Sequence, residues 1–144
     1  MRELDVEELL TYHPYLISEK FAKFKPVRQL TKRNYRLDMA FQTKQGLSIV
    51  ELKKERLKPE HVSQLLNYCR AWETPSNPLA SEHFLIGKAP QDPESLQNAL
   101  RRTKRSIRVL ILGKDIPRTL MLIGDRYHAY DETRYSNNII EIKI

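Results

Sequence analysis

Apolar and charged side chains alternate in one short stretch of the chain. This alternation predicts a β-strand, and the functional interpretation depends on it. Residues 49 to 53 read IVELK. Because successive side chains of a strand point to opposite faces, Val50 and Leu52 are expected on one side. Glu51 and Lys53 are expected together on the other side, where an acid and a lysine on one face form a candidate site.

A second strand is predicted just before this one, around Asp38, with a tight turn near Lys44-Gln45-Gly46. An even-numbered loop, or a three-residue loop followed by a glycine bulge, puts Asp38 and Glu51 on one face of an antiparallel hairpin, roughly 5 Å apart. A slip of one residue would send the two carboxylates to opposite faces.

Two carboxylates at that distance repel each other unless a cation lies between them. Hard oxygen ligands with room for water suit Mg²⁺ or Mn²⁺. A lysine beside them can position or deprotonate a water molecule for attack on phosphorus. The pattern therefore indicates a hydrolytic metal site.

The remaining pattern predicts helices and strands in alternation. Helices are expected over residues 3–12, ahead of Pro14, over residues 59–73, with Pro59 at the first position, and after Asp92-Pro93. Apolar or alternating runs predict strands at residues 83–87, 107–112, 119–123, 126–131 and 138–144, with Gly124-Asp125 as a hairpin turn. We expect one α/β domain over residues 1–144, with a mixed central sheet flanked by helices.

The residues Asp38 and Glu51-x-Lys53, in the local forms RLD and IVELKK, resemble the signature of the PD-(D/E)XK nuclease superfamily. Leucine precedes Asp38, where that signature has its proline. An HP pair near the end of the first helix and a Gln-x-x-x-Tyr spacing on the second make the chain most similar to the nuclease domain of NucS-type endonucleases. The resemblance covers Glu3 to about Trp72, half of the chain.

This resemblance implies a restriction-endonuclease-like core and a Mg²⁺ (or Mn²⁺) cofactor. The residues to which it assigns a role are Asp38, Glu51, Leu52, Lys53, Gln64 and Tyr68. The two acids and the backbone carbonyl of Leu52 would hold the ion, and Lys53 would position or activate water. The glutamine and the tyrosine of the following helix would face the site.

The resemblance also implies a further carboxylate from the first helix. Glu3 is the best match by register, because it lies nearest the edge of the apolar stripe. Glu7 is expected further out and is the reserve candidate, and Glu8 lies nearly opposite the stripe. The alternative is that these acids stabilise the start of the helix, by ~0.3 to 1 kcal/mol each.

The amino-acid composition indicates the cellular compartment in which the protein is expected. The single cysteine, Cys69, excludes a disulfide framework and a cysteine-rich zinc site. No apolar run approaches the ~20 residues of a membrane span, and the amino terminus, MRELDVEELL, is acidic where a signal peptide would be basic. We expect a cytoplasmic protein with no membrane partner.

Charge points to a polyanionic partner. The chain has 25 Lys and Arg against 18 Asp and Glu, a formal net charge of +7, and nucleic acid is the commonest partner of so basic a surface. Cations are dense from Lys20 to Arg36 and alternate with Phe21, Phe24 and Tyr35, which favours phosphate contact with aromatic stacking. The residues predicted to bind nucleic acid are Arg33, Arg36, Lys54, Arg56, Lys58 and Tyr68. The alternative for the same stretch is a solvated loop and a protected edge strand.

These observations favour a metal-dependent DNA endonuclease, with RNA not excluded as a substrate. A catalytically silent nucleic-acid-binding module on the same fold is the first alternative. A protein-interaction accessory subunit of a restriction or repair complex is the second. A homodimer is expected, because one small domain that cuts both strands of a duplex needs two copies.

Overall fold

The computed structural model describes residues 3–112 and 139–142, with side chains placed for residues 6–112. The helices are α1 (Glu3–Tyr12), α2 (Pro59–Trp72) and α3 (Pro93–Arg102). The strands are β1 (Val27–Lys32), β2 (Tyr35–Thr43), β3 (Gly46–Arg56), β4 (Glu82–Lys88), β5 (Ser106–Leu112) and β6 (Ile139–Ile142). Two short 3₁₀ turns, Pro14–Leu16 and Glu19–Phe21, join α1 to the sheet.

The six strands form one mixed sheet in the order β1-β2-β3-β4-β5-β6. β1, β2 and β3 pair antiparallel, β4 lies parallel to β3, β5 lies parallel to β4, and β6 returns antiparallel to β5. The two parallel connections carry α2 and α3, as a parallel pair needs a crossover. The predicted α/β fold with a mixed sheet is therefore confirmed; the strands expected at residues 119–131 lie outside the described residues.

Each face of the sheet has its own hydrophobic core. α2 and α3 cover one face, where Leu65 and Leu96 pack against Ile49 and Leu85. α1 covers the other face, where Leu10 packs in one cluster with apolar residues of β2, β3 and β4. Within the described residues, no helix is both long and apolar enough to cross a membrane.

The β2–β3 hairpin forms as predicted, with Phe41 opposite Ser48 and Thr43 opposite Gly46. Its loop is the two residues Lys44 and Gln45, so the even-numbered case applies. Gly46 has φ +125°, and a Cβ there would lie 2.4 Å from the carbonyl oxygen of Pro78. The neighbouring segment therefore leaves room for glycine alone.

Two expectations for individual side chains are wrong. Phe21 is 3 % exposed and stacks on Phe41 with ring centroids 4.1 Å apart, so it belongs to the core and offers no surface to a base. Glu7, expected away from the apolar stripe, is 2 % exposed. It tolerates burial because Arg28 and Gln29 of β1 reach its carboxylate.

Candidate active site

Asp38 and Glu51 stand opposite each other at the point where the β2–β3 ladder ends. The ladder's last backbone pair on this side is Met39 with Val50, and the two acids occupy the next position. Glu51 Oε1 accepts a hydrogen bond from the backbone N–H of Asp38 at 3.2 Å. Asp38 Oδ2 accepts one from the backbone N–H of Leu52 at 2.8 Å. The carboxylates thus take over the bonding that the backbone carbonyls supply elsewhere in the ladder, and this holds them together.

The regular alternation of side chains between the two faces of the sheet is interrupted at Asp38 of β2. Leu37 and Met39 are two residues apart, yet Leu37 packs into the core under α2 and Met39 into the core under α1. On the neighbouring strand, Gln29 stands between residues paired with Met39 and Leu37 and has φ +53°. Both strands are therefore irregular beside the acid, as is common next to active sites.

Burial and repulsion by Asp38 shift the pKa of Glu51 far above its usual value. Glu51 is 3 % exposed. Its desolvation first, and the nearby charge of Asp38 second, raise the pKa of Glu51 to about 9. The positive charge of Lys53 opposes this rise only in part. Without a bound cation the pair is therefore expected to retain a proton at neutral pH.

The donor set fits a hard divalent cation. One oxygen of each carboxylate accepts a backbone N–H, and a carboxylate has about four lone-pair sites, so both acids keep acceptor capacity. A divalent cation would replace the shared proton and remove the repulsion. Asp38, Glu51 and the carbonyl of Leu52 are the groups that would hold it.

Lys53 lies beside the acids at a break in the sheet. β3 follows the register of β4 up to Leu52 opposite Ile86, and the ladder resumes only at Arg56 opposite Lys88. Lys53 falls in this irregular stretch, and its Nζ donates to Gln64 Oε1 of α2 at 2.5 Å. The lysine is thus held by a neutral acceptor rather than by an ion pair with a distant acid.

Gln64 and Tyr68 of α2 lie beside Lys53 and the two acids. They lie one turn apart on α2, and Gln64 Nε2 donates to the hydroxyl of Tyr68 at 3.1 Å. Partial burial first, and then the charges of Glu51 and Asp38, raise the pKa of Tyr68. The electrostatic coupling shows that the tyrosine hydroxyl lies near both acids.

The expected carboxylate from α1 does not join the pair in the described residues. Glu7 accepts hydrogen bonds from Arg28 Nε at 2.9 Å and from Gln29 Nε2 at 2.9 Å. The side chain of Glu3 lies outside the described part of the chain. Among the described side chains, no group of three His, Cys, Asp or Glu residues comes together that could hold a metal ion.

The cations predicted to contact nucleic acid are exposed at the surface. The exposed ones are Arg33, Arg36, Lys54, Arg56 and Lys58. Arg56 donates to the carbonyl of Ala89 at 3.1 Å, and Lys58 Nζ lies 3.7 Å from a carboxylate oxygen of Glu55. The positive charge of Arg36 opposes the rise in the pKa of Tyr68.

Sequence reasoning did not place Tyr35 at the site. Its ring packs edge-on against Tyr68, with centroids 5.7 Å apart and an interplanar angle of 90°. It also meets Trp72 at 6.4 Å. Its neighbourhood of cations was the available signal, but the contact with α2 joins residues more than 30 positions apart in the sequence.

No family model, no curated protein and no solved structure matches this chain.

Proposed function

We propose that this protein is a metal-dependent nuclease that hydrolyses phosphodiester bonds in DNA. The observation that carries the proposal is the Asp38–Glu51 pair, in which each carboxylate accepts a backbone N–H of the facing strand, with Lys53 on the same face as Glu51. A buried glutamate beside a half-buried aspartate is costly unless it retains a proton or binds a cation, and such groups cluster at functional sites. A restriction-endonuclease-like fold is part of the proposal, and the antiparallel β1–β3 unit followed by α2 and the parallel strand β4 supports it.

The chemistry follows from the positions of the side chains. Asp38, Glu51 and the Leu52 carbonyl would hold Mg²⁺ or Mn²⁺, and the ion would supply positive charge against the charge that develops on the phosphate. Lys53, fixed by Gln64, is placed to orient a water molecule and to stabilise the negative charge as that water attacks phosphorus.

The surface cations give the substrate its orientation. Lysine and arginine contacts to phosphate fix the register of a protein on nucleic acid without reading its sequence. Arg36 and Lys54 lie on the two strands that carry the acids, within three residues of Asp38 and Glu51, and we propose that they bind phosphates next to the cleaved bond. We propose two copies of the chain for cleavage of both strands of a duplex.

The test combines cleavage with metal binding in three proteins: wild type, Glu51→Ala and Lys53→Ala. Wild type should cleave one or more members of a panel of duplex, branched and single-stranded DNA and RNA when Mg²⁺ or Mn²⁺ is added. Both variants should lose at least about a hundred-fold in rate, since each removes a group that acts in the transition state. Lys44→Ala, on the exposed β2–β3 turn, is the matched control and should cleave like wild type.

Thermal unfolding separates the two losses. Metal should raise the melting temperature of wild type and of Lys53→Ala, but much less that of Glu51→Ala, because a ligand stabilises only the state that binds it. If the wild type binds DNA but shows neither metal stabilisation nor cleavage, the result would contradict the nuclease function and support the catalytically silent binding module. Wild type that also fails to bind DNA would favour the accessory subunit.

A further inference from the structure

An open groove of about 370 Å³ lies between the tip of the β1–β2 hairpin and the second half of α2. Its lining residues are Lys32, Arg33, Tyr35, Asn67, Arg70 and Ala71. We call it the Tyr35 groove. Its volume falls at the lower end of the range for small-molecule sites, which suits a group about the size of one nucleotide.

Charge in the Tyr35 groove is of one sign. Three of its lining residues are cations and none is an acid. Elsewhere in the described residues, Lys20, Arg28 and Arg105 form ion pairs with glutamates. No ion pair to an acid is found for Lys32, Arg33 or Arg70 within the same described part of the chain. Cations that share one groove and have no acidic partner favour an anionic ligand.

Tyr35 gives the groove an aromatic wall held in one orientation. Edge-on contacts with Tyr68 and Trp72 fix its ring from the α2 side. The side chain nevertheless remains 38 % exposed, so part of the ring faces the groove. The hairpin tip itself is tight, since Lys32 pairs with Tyr35 across a two-residue loop and Arg33 has φ +55°. A fixed and partly exposed ring can stack on a base at little entropic cost.

A series of side-chain contacts links the groove to the candidate active site. Tyr35 contacts Tyr68, the hydroxyl of Tyr68 accepts from Gln64, and Gln64 accepts from Lys53. A nucleotide in the groove would therefore be a near neighbour of the phosphate at the acid pair. In a continuous duplex its base would be stacked and paired, and could not lie against Tyr35.

We propose that the Tyr35 groove binds one unpaired nucleotide of a DNA strand, with its base stacked on Tyr35 and its phosphate bound by Arg33 and Arg70. This subsite rests on the proposed nuclease function and makes the substrate a DNA with a single-stranded segment next to the cleaved bond. Stacking makes the subsite tolerant of base identity, because every base has an aromatic face.

The test measures the affinity of the full chain for a short fluorescent single-stranded DNA and for a blunt duplex, in EDTA so that no strand is cut. Tyr35→Ala should weaken single-strand binding about ten-fold or more and leave duplex binding nearly unchanged. Tyr35→Phe keeps the ring and should bind like wild type. Tyr12→Ala is the matched control, because Tyr12 is a 70 % exposed tyrosine at the end of α1, outside the groove.

The cation arm uses Arg70→Gln, which should weaken single-strand binding and make the salt slope shallower by about one. Its control is Arg101→Gln, an exposed arginine of α3 outside the groove, which should change neither. Arg70 lies on the exposed side of α2, so Arg70→Gln is expected to fold normally. The Arg70→Gln measurement can therefore be interpreted even if Tyr35→Ala lowers the melting temperature.

Two results would overturn the subsite: single-strand affinity that neither Tyr35→Ala nor Arg70→Gln lowers, or equal losses for single strand and duplex. Either result leaves metal-dependent cleavage, and with it the nuclease, intact. Conversely, if the wild type cleaves no DNA while Tyr35→Ala still weakens single-strand binding, that result would support the subsite and contradict the nuclease function.

Discussion

The carboxylate of Glu51 makes the metal-free protein sensitive to pH. Its pKa is raised to about 9 by burial first and by Asp38 second, whereas the unfolded chain ionises near the ordinary value of 4.5. Between those two values the native protein binds a proton that the unfolded protein releases. The free energy of unfolding therefore falls as pH rises through this interval.

We predict that Glu51→Gln removes most of this dependence, because glutamine keeps the shape and carries no titrating group. In EDTA, the free energy of unfolding of wild type should decrease between pH 5 and pH 9 by a few kcal/mol more than that of the variant. Urea unfolding at the two pH values gives both numbers. Glu94→Gln, an exposed glutamate of α3, is the control and should behave like wild type. If the free energy of unfolding depends on pH in the same way for wild type and Glu51→Gln, the raised pKa of Glu51 would be contradicted.

Among the elements, the β2–β3 hairpin determines whether the acids meet at all. Its two-residue loop sets a register in which Asp38 faces Glu51, and a slip of one residue would separate them. Gly46 closes that loop beside residues 78–80, where Leu47 donates to the carbonyl of Pro78 at 3.0 Å and accepts from Ala80 at 2.9 Å. The register is therefore locked by a segment from another part of the chain.

Gly46→Ala should destabilise the protein by about 2 to 4 kcal/mol. The added Cβ would stand 2.4 Å from the Pro78 oxygen and 2.7 Å from the Leu79 carbonyl carbon, and φ +125° is strained for any other residue. The measurement is the urea midpoint. Gln45→Ala, on the same loop with an exposed side chain, should shift the midpoint little. Equal midpoints for Gly46→Ala and Gln45→Ala would show that the close approach of residues 78–80 does not require glycine at position 46.

For the molecule as a whole, the balance of charge would set how it meets DNA under the proposed function. The net charge is +7, and the exposed cations near the site lie on strands and loops rather than on one recognition helix. Such a surface binds phosphates and has few groups placed to read base edges.

We predict steep salt dependence with weak sequence preference. If about four phosphates are neutralised, affinity in EDTA should fall on the order of a hundred-fold between 50 and 200 mM salt. Fluorescence anisotropy with two duplexes of unrelated sequence measures both properties. The two curves should coincide. A flat salt dependence would make the basic charge incidental to binding, and a large difference between the duplexes would require base readout.

The local sequence pattern was sufficient to predict the parts of the fold that depend on residues close together in the chain. The alternation of residues 49–53 put Glu51 and Lys53 on one face because a strand has a period of two. Proline and aspartate signals placed the starts of α2 and α3, since both act within one turn. The register of the hairpin followed from its short loop.

Contacts between distant elements were decided only by the tertiary structure. Glu7 is buried because β1 brings Arg28 and Gln29 to it, and a helical wheel contains no information about β1. Phe21 belongs to the core because Phe41 lies beneath it.

The sequence by itself determined that Glu51 and Lys53 share a strand face, whereas the position of Asp38 opposite Glu51 depended on the length of the hairpin loop, which the structure supplied. Only the tertiary structure decided how deeply Glu51 is buried, that Gln64 holds Lys53, and that Tyr35 meets α2 beside a groove. The physical reason is that strand periodicity and turn length are local properties of the chain. Desolvation, pKa and groove shape instead depend on which distant elements pack together.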